Sequence, residues 1–248
     1  MNIIRISHTE IIVVSGEDKK IKSENHEVKS GVSVAANLRK VFESSKLLNQ
    51  DEETVTVLID SPVMLVPKDE FQEETAATLY YATFSGHETD KVMSATLNDL
   101  NCVAVFGINS DAGLVLGDHY KEVRLMPVMQ PVCTQLFSSA TPDSTTTSLY
   151  CFFHDENVDI FTFQHDRFKY FNTFSATHAH DALYFMLYVW KQLAFNPERD
   201  TMVVCGEIRN EAWLMESLSR YIRNIEYLEK TDTQLPYDIN TITQLSQS

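Results

Sequence analysis

The chain has 248 residues, 44% of them hydrophobic, enough to bury a substantial core as one large domain or two of about 100 to 150 residues. Against 35 acidic residues stand 20 Lys and Arg, and the formal net charge of -15 repels a phosphate backbone, which argues against nucleic acid as a partner. Cys102, Cys133, Cys151 and Cys205 lie in apolar stretches without CxxC spacing, as free buried thiols do, and neither a signal peptide nor an apolar run near the ~20 residues that span a bilayer is present, so a cytoplasmic protein is expected.

Residues 2–7, 10–15 and 20–28 are rich in Ile and Val or alternate them with charge, which predicts a three-stranded meander. From Ser33, a predicted N-cap, Val34, Leu38, Val41 and Phe42 recur at helical spacing, so a helix to about residue 48 follows. Residues 54–59 are β-branched and apolar enough for a buried strand that ends at Asp60-Ser61-Pro62. Residues 69–84 read as another helix, and 91–97 with 102–106 as a hairpin around Asn98-Asp99, both as insertions. Helix, strand (123–128) and helix then fill 110–137, and the small polar run at 138–148 predicts a domain boundary.

The second half repeats this opening. Strands are predicted at 149–154, 158–164 and 168–174, followed by a helix over 177–195 that is apolar on most sides and therefore buried. A strand at 201–205, the turn Gly206-Glu207 and a helix from Asn210 carrying Leu214, Leu218, Tyr221, Ile222 and Ile225 come next, and 231–248 reads as a loose polar tail. First and fourth strands start 52 residues apart in both halves, so the sequence predicts one architecture used twice, over 1–140 and 149–230, with little residue identity between the copies.

A meander, helix, strand and helix present twice resembles the superfamily of actin, Hsp70, hexokinase and acetate kinase. With stretches such as Asp60-Ser61-Pro62-Val63-Met64-Leu65-Val66-Pro67 and Met202-Val203-Val204-Cys205-Gly206, the chain looks most like a bacterial family of uncharacterised proteins assigned to the actin-like ATPase fold. The resemblance implies an α/β fold of duplicated RNase H-like (actin-like) domains, each a mixed sheet flanked by helices, with ATP and Mg²⁺ as the cofactors of the cleft between the halves. In that family the turn between the first two strands of each half holds phosphate, using an Asp for the metal-bound water and glycines that let backbone N–H groups approach. Here the first turn, Ile6-Ser7-His8-Thr9-Glu10, has neither. In the second, Phe153-His154-Asp155-Glu156-Asn157-Val158-Asp159, Asp155 can hold a metal, but Glu156 repels phosphate and no Gly opens the backbone. The family's Gly-Gly adenosine loop is matched by 202–210, which keeps only Gly206. Asp155, Gly206 and Glu207 are therefore the nucleotide-binding candidates, and Asp155 the catalytic one.

Asp155, Asp181 and Glu207 fall where the related RNase H fold gathers carboxylates around Mg²⁺, although in so acidic a chain solvated surface is the commoner role of such groups. His178 and His180 stand two apart at a helix start and so do not share a face, and Cys151 and His154 point to opposite faces of a strand. No GxSxG, GxxxxGK[ST] or GxGxxG occurs. Nine aromatics crowd the second meander: Tyr150, Phe152, Phe153, Phe161, Phe163, Phe168, Tyr170, Phe171 and Phe174. Half face one side of the sheet, which is either covered or a partner site. The leading expectation is a non-catalytic actin-like protein that binds another protein as an assembly or regulatory component. A divergent ATPase or kinase is the alternative, and a metal hydrolase on the second half a third reading.

Overall fold

The computed structural model describes residues 1–17, 20–48, 53–139, 147–164, 167–230 and 234–245, and the chain divides into two compact units. The first comprises Met1–Leu97 and Cys102–Gln130; the second comprises Asn98–Asn101 and 131–246. Residues 140–146, most of the run read as a boundary, lie outside the described residues.

The first unit is built on strand β1 (Asn2–Ile6), buried along its whole length. β2 (Glu10–Glu17) and β3 (Lys20–Glu27) continue it antiparallel, while β4 (Thr54–Ile59) and β8 (Glu122–Pro127) extend it in parallel on the other side, giving the order β3-β2-β1-β4-β8. Helix α1 (Val34–Ser44) starts where Ser33 accepts from the Ala36 N–H, and it buries Ala35, Leu38 and Val41. Asn37 ties the approach to this helix: its amide donates to the carbonyls of Val32 and Ser33 and its Oδ1 accepts from the Lys29 N–H at 3.1 Å. The inserted sheet runs β5-β7-β6, from β5 (Val63–Pro67), β6 (Asp90–Leu97) and β7 (Cys102–Asn109). Against it α2 (Glu73–Thr83) packs Ala76 and Tyr80 onto Val103 and Val105. The expected hairpin is present, but the helix starts at Glu73, after a short 3-10 turn at Lys68–Glu70, and residues 63–67 form a strand that the sequence reading did not identify. α3 (Ser110–His119), capped by Asn109, leads into β8.

The second unit has the same strand order: β11 (Arg167–Ser175), β10 (Asn157–Gln164), β9 (Ser148–His154), β12 (Thr201–Gly206), β13 (Asn224–Leu228). The first two junctions are antiparallel and the last two parallel. One face carries Cys151, Phe153, Val158, Ile160, Met202 and Val204 against α5 (Ala179–Gln192) and α6 (Glu211–Leu218). The helix expected to continue through Ile225 stops at Leu218, because residues 224–228 pair in parallel with β12. The other face carries Tyr150, Phe152, Phe161 and Phe163, all buried. Phe137 of α4 (Met129–Ser139) meets Phe163 at 5.1 Å, and Tyr237 of α7 (Tyr237–Leu245) meets Phe152 at 6.0 Å. These aromatics are thus core, not an open patch, and the tail read as loose contains a helix whose Tyr237 and Ile239 are buried.

All four cysteines are buried and none forms a disulfide, and burial pushes the Cys102 thiol up to about 11 and those of Cys151 and Cys205 upward as well. Thiol-reagent kinetics should therefore show Cys102 reacting more slowly, by about tenfold or more, in the native protein than in denaturant, since burial leaves less thiolate to react. In the same protein, Phe161→Ala should destabilise by about 3 to 5 kcal/mol in urea titration, whereas the exposed Tyr184→Ala should stay within about 0.5 kcal/mol.

Candidate functional site

The turn after β1 is closed on itself. Ser7 is buried, and its Oγ accepts from the N–H groups of Thr9 at 3.3 Å and Glu10 at 3.2 Å, while the Ser7 N–H donates to the Glu10 carbonyl at 3.0 Å. Three backbone donors of this turn thereby point inward, a serine turn that needs no glycine. Beside it Asp60, at the end of β4, donates its N–H to the Ile6 carbonyl at 2.9 Å, and its carboxylate lies 3.7 Å from His8 Nδ1.

The corresponding turn of the second unit is a two-residue hairpin, Asp155-Glu156, between the paired His154 and Asn157. Asp155 takes φ +49°, a left-handed conformation that aspartate tolerates better than most residues. Its side chain is 3% exposed and lies 3.8 Å from His154 Nδ1. On the other side of that imidazole, Nε2 lies 3.1 Å from Asp159, whose second oxygen accepts from the Thr173 hydroxyl at 2.6 Å. The histidine ring also stacks on Phe152. A buried imidazole between two carboxylates is the most polar feature of this sheet end. The sequence signal was there, since Asp159 stands two residues beyond Asn157, the partner of His154 across the turn, and so lies diagonal to His154 on one face of the hairpin.

Gly206 ends β12 at φ +97°, and a Cβ there would stand 1.9 Å from the Phe153 carbonyl oxygen and 2.9 Å from its nitrogen. The next N–H, of Glu207, donates to that same carbonyl at 3.0 Å. Close approach of two backbones therefore accounts for the glycine. Glu207 itself pairs with Lys230 at 2.7 Å. Arg209 reaches from the same loop to Glu156 at 3.3 Å and to the Thr177 carbonyl at 3.2 Å, tying the β12–α6 loop to the β9–β10 turn. Asp181 accepts from the His178 N–H at 3.3 Å at the start of α5, where His178 is the cap, so the helix begins later than the predicted 177. His180 packs on Trp213 at 4.1 Å. Among the described residues Asp155, Asp181 and Glu207 are not gathered into one cluster; each carboxylate engages a different neighbour.

Gly206→Ala should destabilise the protein by about 3 kcal/mol or more, because a clash with backbone adds to left-handed strain. Ser7→Ala should cost about 1 kcal/mol by removing two part-buried hydrogen bonds. Urea unfolding measures both, with Arg209→Ala, an exposed pair worth under about 1 kcal/mol, as the comparison.

Several solved structures are similar to this chain in fold. A protein from Bacteroides thetaiotaomicron with actin-like ATPase fold and unknown function is 27% identical, with a TM-score of 0.86 over 98% of this chain and 95% of that one. The PilM-PilN type IV pilus biogenesis complex matches at a TM-score of 0.53 and 13% identity, over 91% of this chain and 87% of that one, a likeness of fold alone. No curated protein matches the sequence. A family model described as "Protein of unknown function (DUF3822)" matches residues 4–225. The chain has an actin-like fold and belongs to the DUF3822 family of proteins of unknown function.

Proposed function

We propose that this protein is a non-catalytic member of the actin-like fold, acting in the cytoplasm by binding another protein as an assembly or regulatory component. The observation that carries this reading is the closed first turn: the N–H groups that would be aimed at a phosphate are spent on Ser7 Oγ and the Glu10 carbonyl. An oxyanion brought there would have to break those bonds, and the formal charge of -15 adds repulsion. In the second unit Glu156 places a carboxylate on the other turn, and Gly206 already has a packing role. A PilM-PilN complex among the structures of like fold makes a protein partner a natural kind of ligand to seek.

The alternative is a divergent ATPase or kinase that binds nucleotide through Asp155, Gly206 and Glu207. The acid retained at the second turn favours it, since the resemblance to the actin-like superfamily implies a metal-water aspartate in that turn and Asp155 is the one residue of it matching that role.

Thermal unfolding with and without millimolar Mg-ATP or Mg-ADP separates the two. A ligand at about 100 times its dissociation constant adds about 2.7 kcal/mol, which for a chain of this size is a rise in Tm of roughly 5 to 11 °C. The expected result is no rise. A rise that disappears in Asp155→Asn, together with Mg-dependent turnover, would replace the first reading by the second.

A further inference from the structure

Beside the contact of α1 with α3 in the first unit lies a cleft of about 700 Å³, whose lining includes Arg39, Phe42, Glu43, Asp118, His119 and Tyr120. Its aromatic side is ordered: Phe42 stacks on His119 with ring centroids 3.8 Å apart and planes at 12°, and Tyr120 lies 5.9 Å from Phe42. His119 Nδ1 is 2.8 Å from the Val115 carbonyl. A carbonyl only accepts, so Nδ1 carries the proton and Nε2 of the neutral ring is an acceptor.

Two carboxylates, Glu43 and Asp118, line the same cleft, and among the described residues neither has an ion-pair partner. Among the described lining residues Arg39 is the single fixed cation, so together they carry one net negative charge within a strongly negative protein. Carboxylate and imidazole acceptors beside aromatic faces are what a guanidinium or ammonium group needs, through charge-assisted hydrogen bonds and cation–π attraction. The field of the whole chain would draw such a group in. Arg39 fits the same ligand if it donates to a main-chain carbonyl of a polypeptide.

We propose that this cleft binds an arginine or lysine side chain from a basic segment of a partner polypeptide. The proposal rests on the reading of the protein as a protein-binding component and gives that partner a chemistry and a place.

Blocked penta-arginine and penta-lysine peptides, with free arginine and penta-glutamate as comparisons, would be titrated at physiological salt into isotopically labelled full-length protein and followed by NMR. The expected result is saturable binding of the basic peptides, with shifts confined to α1 and α3 and including the His119 ring. The double variant Glu43→Gln, Asp118→Asn should weaken binding by about tenfold or more, as should Phe42→Leu, with Tm confirming that each variant is folded. Glu198→Gln with Glu216→Gln removes the same charge from the second unit and should leave affinity unchanged. Equal loss in both double variants, or shifts spread over the whole surface, would mean that net charge alone attracts the peptides and would overturn the proposal. So would no binding, or free arginine binding as tightly as the peptides. None of these failures touches the broader protein-binding reading, which a nucleotide-induced rise in Tm would overturn instead.

Discussion

The second unit depends on one close approach of two backbones. At its parallel junction β12 runs beside β9 until Gly206, where the Phe153 carbonyl occupies the space in which any side chain would begin. That carbonyl also accepts from Glu207, so the two strands are locked in register to their last residues. Both sheet faces then inherit the register: Cys151 and Phe153 go to the α5 and α6 side, and Phe152 and His154 go to the side of Tyr237.

Burial on both faces explains why this sheet is so rich in aromatics and so poor in exposed ones. Phe161 touches Tyr150, Phe163 and Phe171 within one stack, and neither Phe161 nor Phe152 is open to solvent. A sheet covered on both sides cannot offer its face to a partner. The proposed contact with another protein would then use helix surfaces, sheet edges or clefts.

The two turns that the actin-like fold normally devotes to phosphate are here stabilised by other means. The first uses a buried serine hydroxyl, the second an aspartate in a left-handed conformation beside an imidazole flanked by carboxylates. The first device satisfies its turn internally. A sheet's register depends on packing, so the fold does not by itself decide activity.

Period and composition alone determined much of this protein. Both meanders, the Ser33 cap and the β6–β7 hairpin were legible because alternation and helical spacing record which face of an isolated element is apolar, whereas α5, read as buried on most sides, leaves Tyr184 and Tyr188 exposed. The missing turn glycines were legible too, as was the pairing of architecture between the halves. What the tertiary structure decided were matters of partnership. Ile225 keeps helical spacing with Leu218 and Leu214, yet it belongs to a strand because β12 offered an unpaired edge. The aromatic far face of the second sheet became core only because α4 and α7 bring Phe137 and Tyr237 to it, and nothing in a polar tail announces that. Gly206 read as a remnant of a nucleotide loop, while its place against Phe153 gives it a packing role. A sequence states what each segment would bury; only the assembled chain determines against what, since that choice is made by neighbours distant in sequence.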